Sequence, residues 1–282
     1  MFKILAKREL NAQVTLMEIE APLIAKKVRA GQFIIFRIDE FGERVPLTVA
    51  DRDAEKGSIT IIFQKVGRST IMLGNLNEGD FILDVVGPLG VPTEIPECAK
   101  KVAVIGGGVG CAIAYPQAKS LFNSGVEVDV IAGFRNKDIV ILEDEMRAVS
   151  NNYYITTDDG SYGTKGFVTN KLQELIDAGN HYDAVIAIGP VPMMKFVCAV
   201  TKPYGIKTIV SLNPIMIDGT GMCGGCRVRV GGKIKYACVD GPDFDGHEVD
   251  FDELMKRNSA YRDIEQHDRE HICRLTGGVV NA

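Results

Sequence analysis

The chain has 282 residues, of which 46% are hydrophobic and 24% charged, and its formal net charge is −5 at pH 7. This length suffices for two or three domains with buried cores, and the acidic balance argues against nucleic acid as the main partner. No apolar run is long enough to span a bilayer, and the first residues lack the layout of a signal peptide. We therefore expect a cytoplasmic protein with no membrane partner.

Residues 2–87 contain six short segments, several of which alternate as antiparallel strands do. They read FKILAKREL, VTLMEIEAP, GQFIIFRID, PLTVAD, SITIIFQKV and FILDVVG, with turn sequences between them. Six short strands at this spacing predict a small antiparallel β-barrel, which we place over residues 1–98.

Two places in the predicted barrel carry chemistry beyond that of a strand. The first is Arg44, Val45, Pro46, Leu47 and Thr48, and the second is Ile62, Phe63 and Gln64 followed by Gly67, Arg68, Ser69 and Thr70. A glycine, two hydroxyls and a guanidinium before a short helix suit a pyrophosphate. The same cluster is also an ordinary helix cap, and the residues alone leave both interpretations open.

The middle of the chain alternates strand and helix patterns, which predicts a parallel sheet flanked by helices over residues 99–209. Ligand is expected at the carboxyl ends of such strands. The candidate residues there are Gly106, Gly107, Gly108, Val109, Gly110, Arg135, Asp158, Asp159, Gly160, Ser161, Gly189 and Pro190. Plain strand-to-helix turns are the alternative for each glycine, since the spacing departs from G-x-G-x-x-G.

Two residues in this half bear on its chemistry. No acidic residue ends the strand VEVDVIAGF, and Arg135 stands there instead, where it suits a 2′-phosphate. The choice between NAD and NADP is therefore open. We expect Cys111, like Cys98, Cys198 and Cys273, to be a small buried hydrophobe or a free thiol. Cys111 also begins a predicted helix directly after the glycine turn, a position that favours a lowered pKa for its thiol.

The stretch from residue 210 to 243 contains three of the seven cysteines, spaced Asp218-x4-Cys223-x2-Cys226-x11-Cys238. Plant-type 2Fe–2S sites use C-x4-C-x2-C and a more distant cysteine, and here an aspartate stands first. A zinc site is the alternative, although it favours two cysteine or histidine knuckles. Asp218 is either the fourth ligand or only part of an Asp-Gly turn. Glycines at 219, 221, 224 and 225 let the loop curl and bring N–H groups towards sulfur.

The last segment, residues 244–282, is charged and partly helical, with Asp250 or Asp252 as a possible N-cap. It is either a solvated closing helix or a docking element for a partner subunit. The sequence contains no arrangement of Ser, His and Asp or of Cys and His that indicates hydrolysis, so we assign no catalytic residue.

The order of barrel, nucleotide sheet and iron–sulfur loop resembles the ferredoxin reductase-like electron-transfer subunits of dihydroorotate dehydrogenase. It is still more similar to the small subunits of NADH-dependent reduced ferredoxin:NADP oxidoreductase, also called sulfide dehydrogenase. The resemblance covers nearly the whole chain, and its most specific stretch is SLNPIMIDGTGMCGGCRV. Those small subunits are similar in placing an aspartate and three cysteines around a 2Fe–2S cluster.

The resemblance implies an FAD-binding barrel, an NAD(P)-binding α/β domain and a C-terminal 2Fe–2S module. In it, Pro46, Leu47 and Thr48 match the flavin motif, residues 62–64 the next flavin strand, and Ser69 with Thr70 the pyrophosphate pair. The chain departs from the family's pattern at two positions. Val45 occupies the arginine position of the flavin motif, with Arg44 beside it. Ile188 replaces a cysteine that is expected near the nicotinamide.

The implied activity moves electrons between NAD(H), FAD and the cluster to a larger partner subunit that carries its own flavin and 4Fe–4S clusters. In such complexes, electrons can be bifurcated between ferredoxin and a pyridine nucleotide. The alternatives are a dihydroorotate dehydrogenase electron-transfer subunit and a zinc-stabilised nucleotide-binding regulator without redox activity.

Overall fold

The computed structural model describes residues 1–96, 98–261 and 263–264. Part of the predicted tail over residues 244–282, including Cys273, lies outside the described residues. The strands are β1 (Phe2–Glu9), β2 (Val14–Glu20), β3 (Phe33–Arg37), β4 (Val45–Asp53), β5 (Ser58–Gln64), β6 (Phe81–Ile82), β7 (Asp84–Leu89), β8 (Lys101–Gly107), β9 (Glu127–Phe134), β10 (Asn152–Thr157), β11 (Thr164–Lys165), β12 (Ala184–Ile188), β13 (Lys207–Ser211), β14 (Arg227–Val230), β15 (Lys233–Tyr236) and β16 (Asp243–Asp245). The helices are α1 (Pro22–Ala25), α2 (Arg68–Asn75), α3 (Gly110–Asn123), α4 (Glu143–Ala148), α5 (Val168–Asp177), α6 (Val191–Thr201), α7 (Ala237–Asp240) and α8 (Phe251–Asn258), with short 3-10 turns at Lys137–Ile139 and Lys202–Tyr204.

The first sheet is a nearly closed antiparallel barrel with strand order β6-β1-β2-β5-β4-β3-β7. The last predicted strand, FILDVVG, divides into two: β6 pairs with β1, and β7 pairs with β3. One short stretch of chain thus joins the two ends of the sheet. Fully buried side chains such as Met17, Ile59 and Phe63 fill the interior.

The second sheet has the order β11-β10-β9-β8-β12-β13-β16 and is parallel except for β16, which pairs antiparallel with β13. Its strands are continuous apolar runs because helices cover both faces. Helices α3 and α4 pack on one face, while α5 and α6 pack on the other. Helix α3 also contacts the barrel through Ala50 and Ile62, so one core cluster spans both sheets.

The third part is a loop followed by the two-stranded hairpin β14–β15 and helix α7. Cys226, Ala237 and Cys238 are buried against Phe33 and Ile35 of barrel strand β3. Helix α8 follows. Its N-cap is Asp250, one of the two residues predicted for that position, and the Asp250 carboxylate accepts a hydrogen bond from the Glu253 N–H at 2.9 Å. In the described part of the chain, no helix is both long and apolar enough to cross a bilayer.

Candidate functional site

The loop between β13 and β14, residues 212–226, carries the aspartate and two of the three clustered cysteines. Gly219, Gly221 and Gly224 have φ values of +81°, +87° and +68°, a region that disfavours other residues. A Cβ on Gly219 would lie 2.5 Å from the Ile35 side chain of the barrel. The glycines therefore let the loop turn tightly and lie directly on β3, as their spacing predicts.

Cys226 and Cys238 form a buried thiol pair whose sulfur atoms are 3.2 Å apart. Burial, followed by the hydrogen bond from Cys226, raises the pKa of the Cys238 thiol to about 12. Cys223 is exposed, and the Gly225 N–H donates to its sulfur at 3.4 Å. That donor, with further main-chain N–H groups, lowers the pKa of Cys223 and favours its thiolate form.

Asp218 is half-buried at the start of the same loop, and its carboxylate accepts three hydrogen bonds. The donors are the Thr220 N–H at 2.9 Å, the Thr220 hydroxyl at 2.7 Å and the Met222 N–H at 3.1 Å. The Thr220 hydroxyl is the largest of the contributions that lower the pKa of Asp218. The carboxylate is therefore ionised and held in a turn, which suits both an Asp-Gly turn and an anionic ligand.

The donor set of this loop fits a 2Fe–2S cluster by its chemistry. Three thiols and one ionised carboxylate come from one segment, and main-chain N–H groups point towards a sulfur atom. Among the described residues, no three His, Cys, Asp or Glu side chains meet closely enough to form a closed metal site. The structure brings Cys226 and Cys238 together, and the four-ligand set with Asp218 and Cys223 stays a prediction.

The predicted flavin residues lie on adjacent barrel strands. Residues 45–48 begin β4, where Thr48 pairs with Phe33 and Val45 with Phe36 of β3. Residues 62–64 end β5, and the register that pairs Val49 with Ile61 places the two segments side by side. Phe63 is buried in the barrel core and Ile62 packs towards α3, so these two residues present only main chain to a ligand.

The predicted pyrophosphate pair lies at the N-terminus of α2, and both hydroxyls already have protein partners. The Thr70 hydroxyl accepts from the Gly67 N–H at 3.1 Å, as a cap residue does. The Ser69 hydroxyl donates to the Glu43 carboxylate. A pocket of about 270 Å³ adjoins them, lined by Ile38, Asp39, Phe41, Gly42, Glu43, Arg68, Ser69 and Met72. Glu43 is not signalled by the sequence, because nothing in its spacing marks it.

The predicted nucleotide residues gather at one edge of the second sheet. The register pairs Gly107 with Gly133, Gly133 with Thr156, and Gly106 with Ile188. The segments at 106–110, 133–135, 158–161 and 189–190 therefore follow neighbouring strand ends. This is the edge at which an open α/β sheet binds its ligand.

Close backbone approach explains the glycine turn after β8. A Cβ on Gly110 would lie 2.4 Å from the Ile188 carbonyl oxygen, and one on Gly106 would lie 2.7 Å from the Cys111 sulfur. Gly108 has a φ of +57° with open space around it. Met193 covers both Gly107 and Gly189, a contact that the sequence does not signal.

The expectation of a lowered pKa for Cys111 is wrong. Its side chain is fully buried against the glycine turn, and burial raises the pKa of the thiol to about 12. The helix start at Cys111 and the alternative expectation of a small buried side chain are both confirmed.

The loops after β9 and β10 are joined by one serine. The Ser161 hydroxyl donates to Asp159 at 2.7 Å and accepts from the Lys137 N–H at 2.8 Å. The Ser161 hydroxyl is the largest contribution that lowers the pKa of Asp159. Asp158 and Arg135 are exposed beside it, so this corner offers both signs of charge to a ribose or its 2′-phosphate.

An antiparallel barrel, a parallel nucleotide sheet and a cysteine-rich loop together define an oxidoreductase with the ferredoxin reductase-like fold. The oxidoreductase NAD-binding domain family matches residues 104–199, and the iron–sulfur cluster binding domain of dihydroorotate dehydrogenase B matches residues 213–250. These matches confirm the expected enzyme class and agree with the expected FAD, NAD(H) and 2Fe–2S cofactors.

Curated relatives extend over almost the whole chain. An uncharacterised protein of Clostridium beijerinckii is 54% identical, over 93% of this chain and 91% of its own length. The homologue of the NAD-dependent dihydroorotate dehydrogenase B electron transfer subunit in Thermotoga maritima is 48% identical, over 92% and 91%. This chain belongs to the family of dihydroorotate dehydrogenase B electron-transfer subunits and their homologues.

Solved structures agree with the expected resemblance. A structure of the NADH-dependent reduced ferredoxin-NADP oxidoreductase, solved to study flavin-based electron bifurcation, superimposes with a TM-score of 0.91 at 45% identity. It covers 96% of this chain and 98% of the matched chain. The ferredoxin reductase of carbazole 1,9a-dioxygenase shares the fold, with a TM-score of 0.62 at 17% identity over 73% of this chain and 65% of its own.

Proposed function

We propose that this chain is the small subunit of an electron-bifurcating NADH-dependent reduced ferredoxin:NADP oxidoreductase, in which it carries electrons between NAD(H), FAD and a 2Fe–2S cluster. One observation supports this most strongly. Phe33 pairs with Thr48 of the flavin motif and packs against both Cys226 and Cys238. One strand thus separates the flavin segment from the cysteine pair, which is a short route for electrons.

The bound nicotinamide, flavin and cluster supply the hydride and single-electron chemistry. The protein's part is to bind and orient them. In this proposal, residues 44–48, 62–64, 67, 69 and 70 hold FAD, and the strand ends at 106–110, 135, 158–161 and 189–190 hold the nicotinamide nucleotide. Asp218, Cys223, Cys226 and Cys238 hold the cluster. No side chain needs to act as an acid or base for hydride transfer.

We further propose that a larger flavin- and 4Fe–4S-containing subunit docks beside the cluster loop. Three apolar side chains there are exposed: Ile217 by 57%, Met222 by 86% and Val239 by 44%. Exposed apolar side chains grouped on one loop and the helix that follows it are typical of an interaction surface. Ferredoxin and NADP(H) would then react through that subunit. The free thiols of the chain suit a cytoplasmic location.

A dihydroorotate dehydrogenase electron-transfer subunit is the second candidate, favoured by the match of residues 213–250 to that iron–sulfur domain. It would use the same barrel and nucleotide edge but deliver electrons to a dihydroorotate-oxidising partner. The aspartate at position 218, where the plant-type pattern places a cysteine, favours the first candidate.

Anaerobic purification with the neighbouring subunits of its complex tests this proposal. We expect one FAD and a 2Fe–2S cluster in this chain, reduction of ferredoxin by NADPH only when NAD⁺ is present, and no oxidation of dihydroorotate. Dihydroorotate oxidation would support the second candidate. A colourless protein that binds one zinc ion would contradict both and leave the zinc-stabilised regulator.

A further inference from the structure

Arg44 connects the flavin strand to the cluster loop. It directly precedes β4, and its Nη2 donates to the main-chain carbonyl oxygen of Asp218 at 3.2 Å. The next residue of the loop, Gly219, has no room for a Cβ because Ile35 and Leu89 of the barrel lie against it. Arg44 and these two side chains therefore fix the Asp218 end of the loop on the barrel.

The guanidinium also brings positive charge to a place where negative charge collects. The proposed ligands are three thiolates and one carboxylate, all negatively charged. Reduction adds one electron to the cluster, so the reduced loop carries one more negative charge than the oxidised loop. Besides the Asp218 carboxylate, three arginines contact the loop, and each donates to one of its main-chain carbonyl oxygens. Arg227 donates to the Gly224 carbonyl oxygen at 3.4 Å, and Arg257 donates to the Gly225 carbonyl oxygen at 3.1 Å.

Arg44 differs from those two because it comes from the barrel. Arg227 belongs to the hairpin and Arg257 to α8, both of which follow the loop in the chain. Arg44 instead directly precedes β4, the strand that carries Pro46, Leu47 and Thr48 of the flavin motif. The Arg44 cation therefore links the proposed flavin segment, the electron donor, to the proposed cluster loop, the electron acceptor.

We propose that Arg44 is a positioning residue that clamps the Asp218 end of the loop to the flavin strand and raises the reduction potential of the cluster held there. The inference rests on the proposed function. A nearby cation stabilises the more negative reduced state, and the potentials of such clusters respond to net charge and hydrogen bonding. It gives Arg44, which is displaced by one position from the flavin motif's arginine, a role besides the proposed contact with FAD.

The test is a redox titration of the cluster, followed by EPR, in the purified full chain with its own cofactors. Arg44→Gln keeps a hydrogen-bond donor but removes the charge. We expect its cluster to be about threefold to tenfold harder to reduce, a shift to lower potential of roughly 30–60 mV at 59 mV per tenfold for one electron. Arg44→Lys, which keeps the charge, should titrate close to the unsubstituted protein.

Arg52→Gln is the matched control. Arg52 lies on β4, the strand that Arg44 precedes, and also donates to a main-chain oxygen, but to that of Ala25 in α1, at 3.0 Å. An equal shift in Arg52→Gln, an unchanged potential in Arg44→Gln, or loss of FAD alone would overturn the proposal. Absence of any iron signal in the unsubstituted chain would contradict the proposed function instead.

Discussion

Asp218 is the residue that separates this loop from a four-cysteine iron–sulfur site. Its carboxylate is ionised and accepts three hydrogen bonds, two from Thr220 and one from Met222. These hydrogen bonds would have to rearrange if the carboxylate bound a metal. An exposed turn aspartate with no ligand role would be replaceable at small cost, whereas a ligand would not.

Replacing Asp218 should therefore change the cluster itself. In Asp218→Ala we expect loss of at least half of the bound iron or a changed EPR signal, while Asp218→Cys retains a 2Fe–2S cluster. Iron and sulfide analysis with EPR measures this. Asp240→Ala is the control, since Asp240 also accepts a main-chain N–H, from Tyr236 at 2.7 Å. Unchanged iron content and EPR in Asp218→Ala would leave Asp218 as a turn residue.

Asp129 is a buried carboxylate near the start of strand β9, at the opposite end of that strand from the proposed nucleotide-binding edge. The Tyr182 hydroxyl donates to it at 2.7 Å, as does the Asn152 amide, and Lys101 lies 3.4 Å away. Burial and this hydrogen bond raise the pKa of Tyr182. These contacts assign the group a role in the stability of the fold.

Tyr182→Phe removes one donor from that carboxylate. We expect the free energy of unfolding to fall by about 1–3 kcal/mol, because a buried acceptor loses a partner. Urea denaturation measures this, with Tyr204→Phe as the control at an exposed hydroxyl, expected to change by about 0.5 kcal/mol or less. Equal effects in both variants would contradict this account of Asp129.

Single residues were predictable where their chemistry is carried by spacing. The spacing of Asp218 and the cysteines predicted a metal-binding loop, and the glycines between them predicted its tight turns. The contacts of Arg44, Glu43 and Met193 could not be predicted, because they depend on which segments the fold brings together. For Cys111 the sequence predicted both a buried side chain and a helix start, and burial decides the pKa of its thiol.

The turn between β8 and α3 depends on how closely the helix approaches β12. Gly110 lies where any side chain would meet the Ile188 carbonyl oxygen, so the first turn of α3 and the nucleotide-binding edge are positioned together. The strand–turn–helix pattern in the sequence predicted β8, the glycine turn and α3. The pairing of β8 with β12 explains why residue 110 is glycine, because it brings Ile188 next to the turn.

Gly110→Ala should therefore disturb both stability and nucleotide binding. We expect a loss of about 1–3 kcal/mol in unfolding free energy from the overpacked contact, and at least tenfold weaker NADH binding. Gly108→Asn is the comparison, because its site has open space and asparagine tolerates a positive φ. Urea unfolding and equilibrium NADH titration measure the two effects. A larger loss of stability in Gly108→Asn would contradict the close-approach argument.

Strand boundaries were harder to predict than strand existence. Alternation in the sequence indicated six barrel strands, but it could not show that FILDVVG changes partner at Leu83 and closes the barrel. The short strand β16 was also missed. Three residues carry too little periodicity, and its place is set by pairing with β13.

Asp243 joins all the principal parts of the molecule. Thr93, after the barrel, donates to its Oδ2 at 2.5 Å, and Gln117 of α3 donates to the same oxygen at 3.2 Å. Within the described residues, Oδ1 of Asp243 and Oε1 of Gln117 have no hydrogen-bond partner. Burial raises the pKa of this carboxyl despite its donors.

This junction makes stability depend on pH in a defined direction. The folded protein retains a proton that the unfolded chain releases near pH 3.9, so the stability contributed here is present at low pH and lost as pH rises through the higher folded-state pKa. Asp243→Asn should become more stable relative to the unsubstituted protein as pH rises from about 4. Urea unfolding at several pH values measures this. Thr93→Val keeps the carboxyl and should keep the trend, whereas a constant difference for Asp243→Asn would contradict it.

The order of barrel, sheet and iron–sulfur loop could be predicted from the sequence, because each part has its own hydrophobic periodicity, turn residues or cysteine spacing. The contacts between the three parts could not be predicted. The packing of the cysteine pair on β3 and the contact of Arg44 with Asp218 join residues more than 170 positions apart, and no local pattern encodes them.

An anaerobic NADH titration of the purified chain, followed by visible absorbance and EPR, tests electron transfer from nicotinamide through flavin to the cluster most directly. The account predicts bleaching of one FAD and the appearance of a reduced 2Fe–2S signal at two iron atoms per chain, with the signal absent when Cys226 and Cys238 are both replaced by serine. A flavin that NADH does not reduce, or a flavin reduced while no 2Fe–2S signal forms even with dithionite, would contradict it.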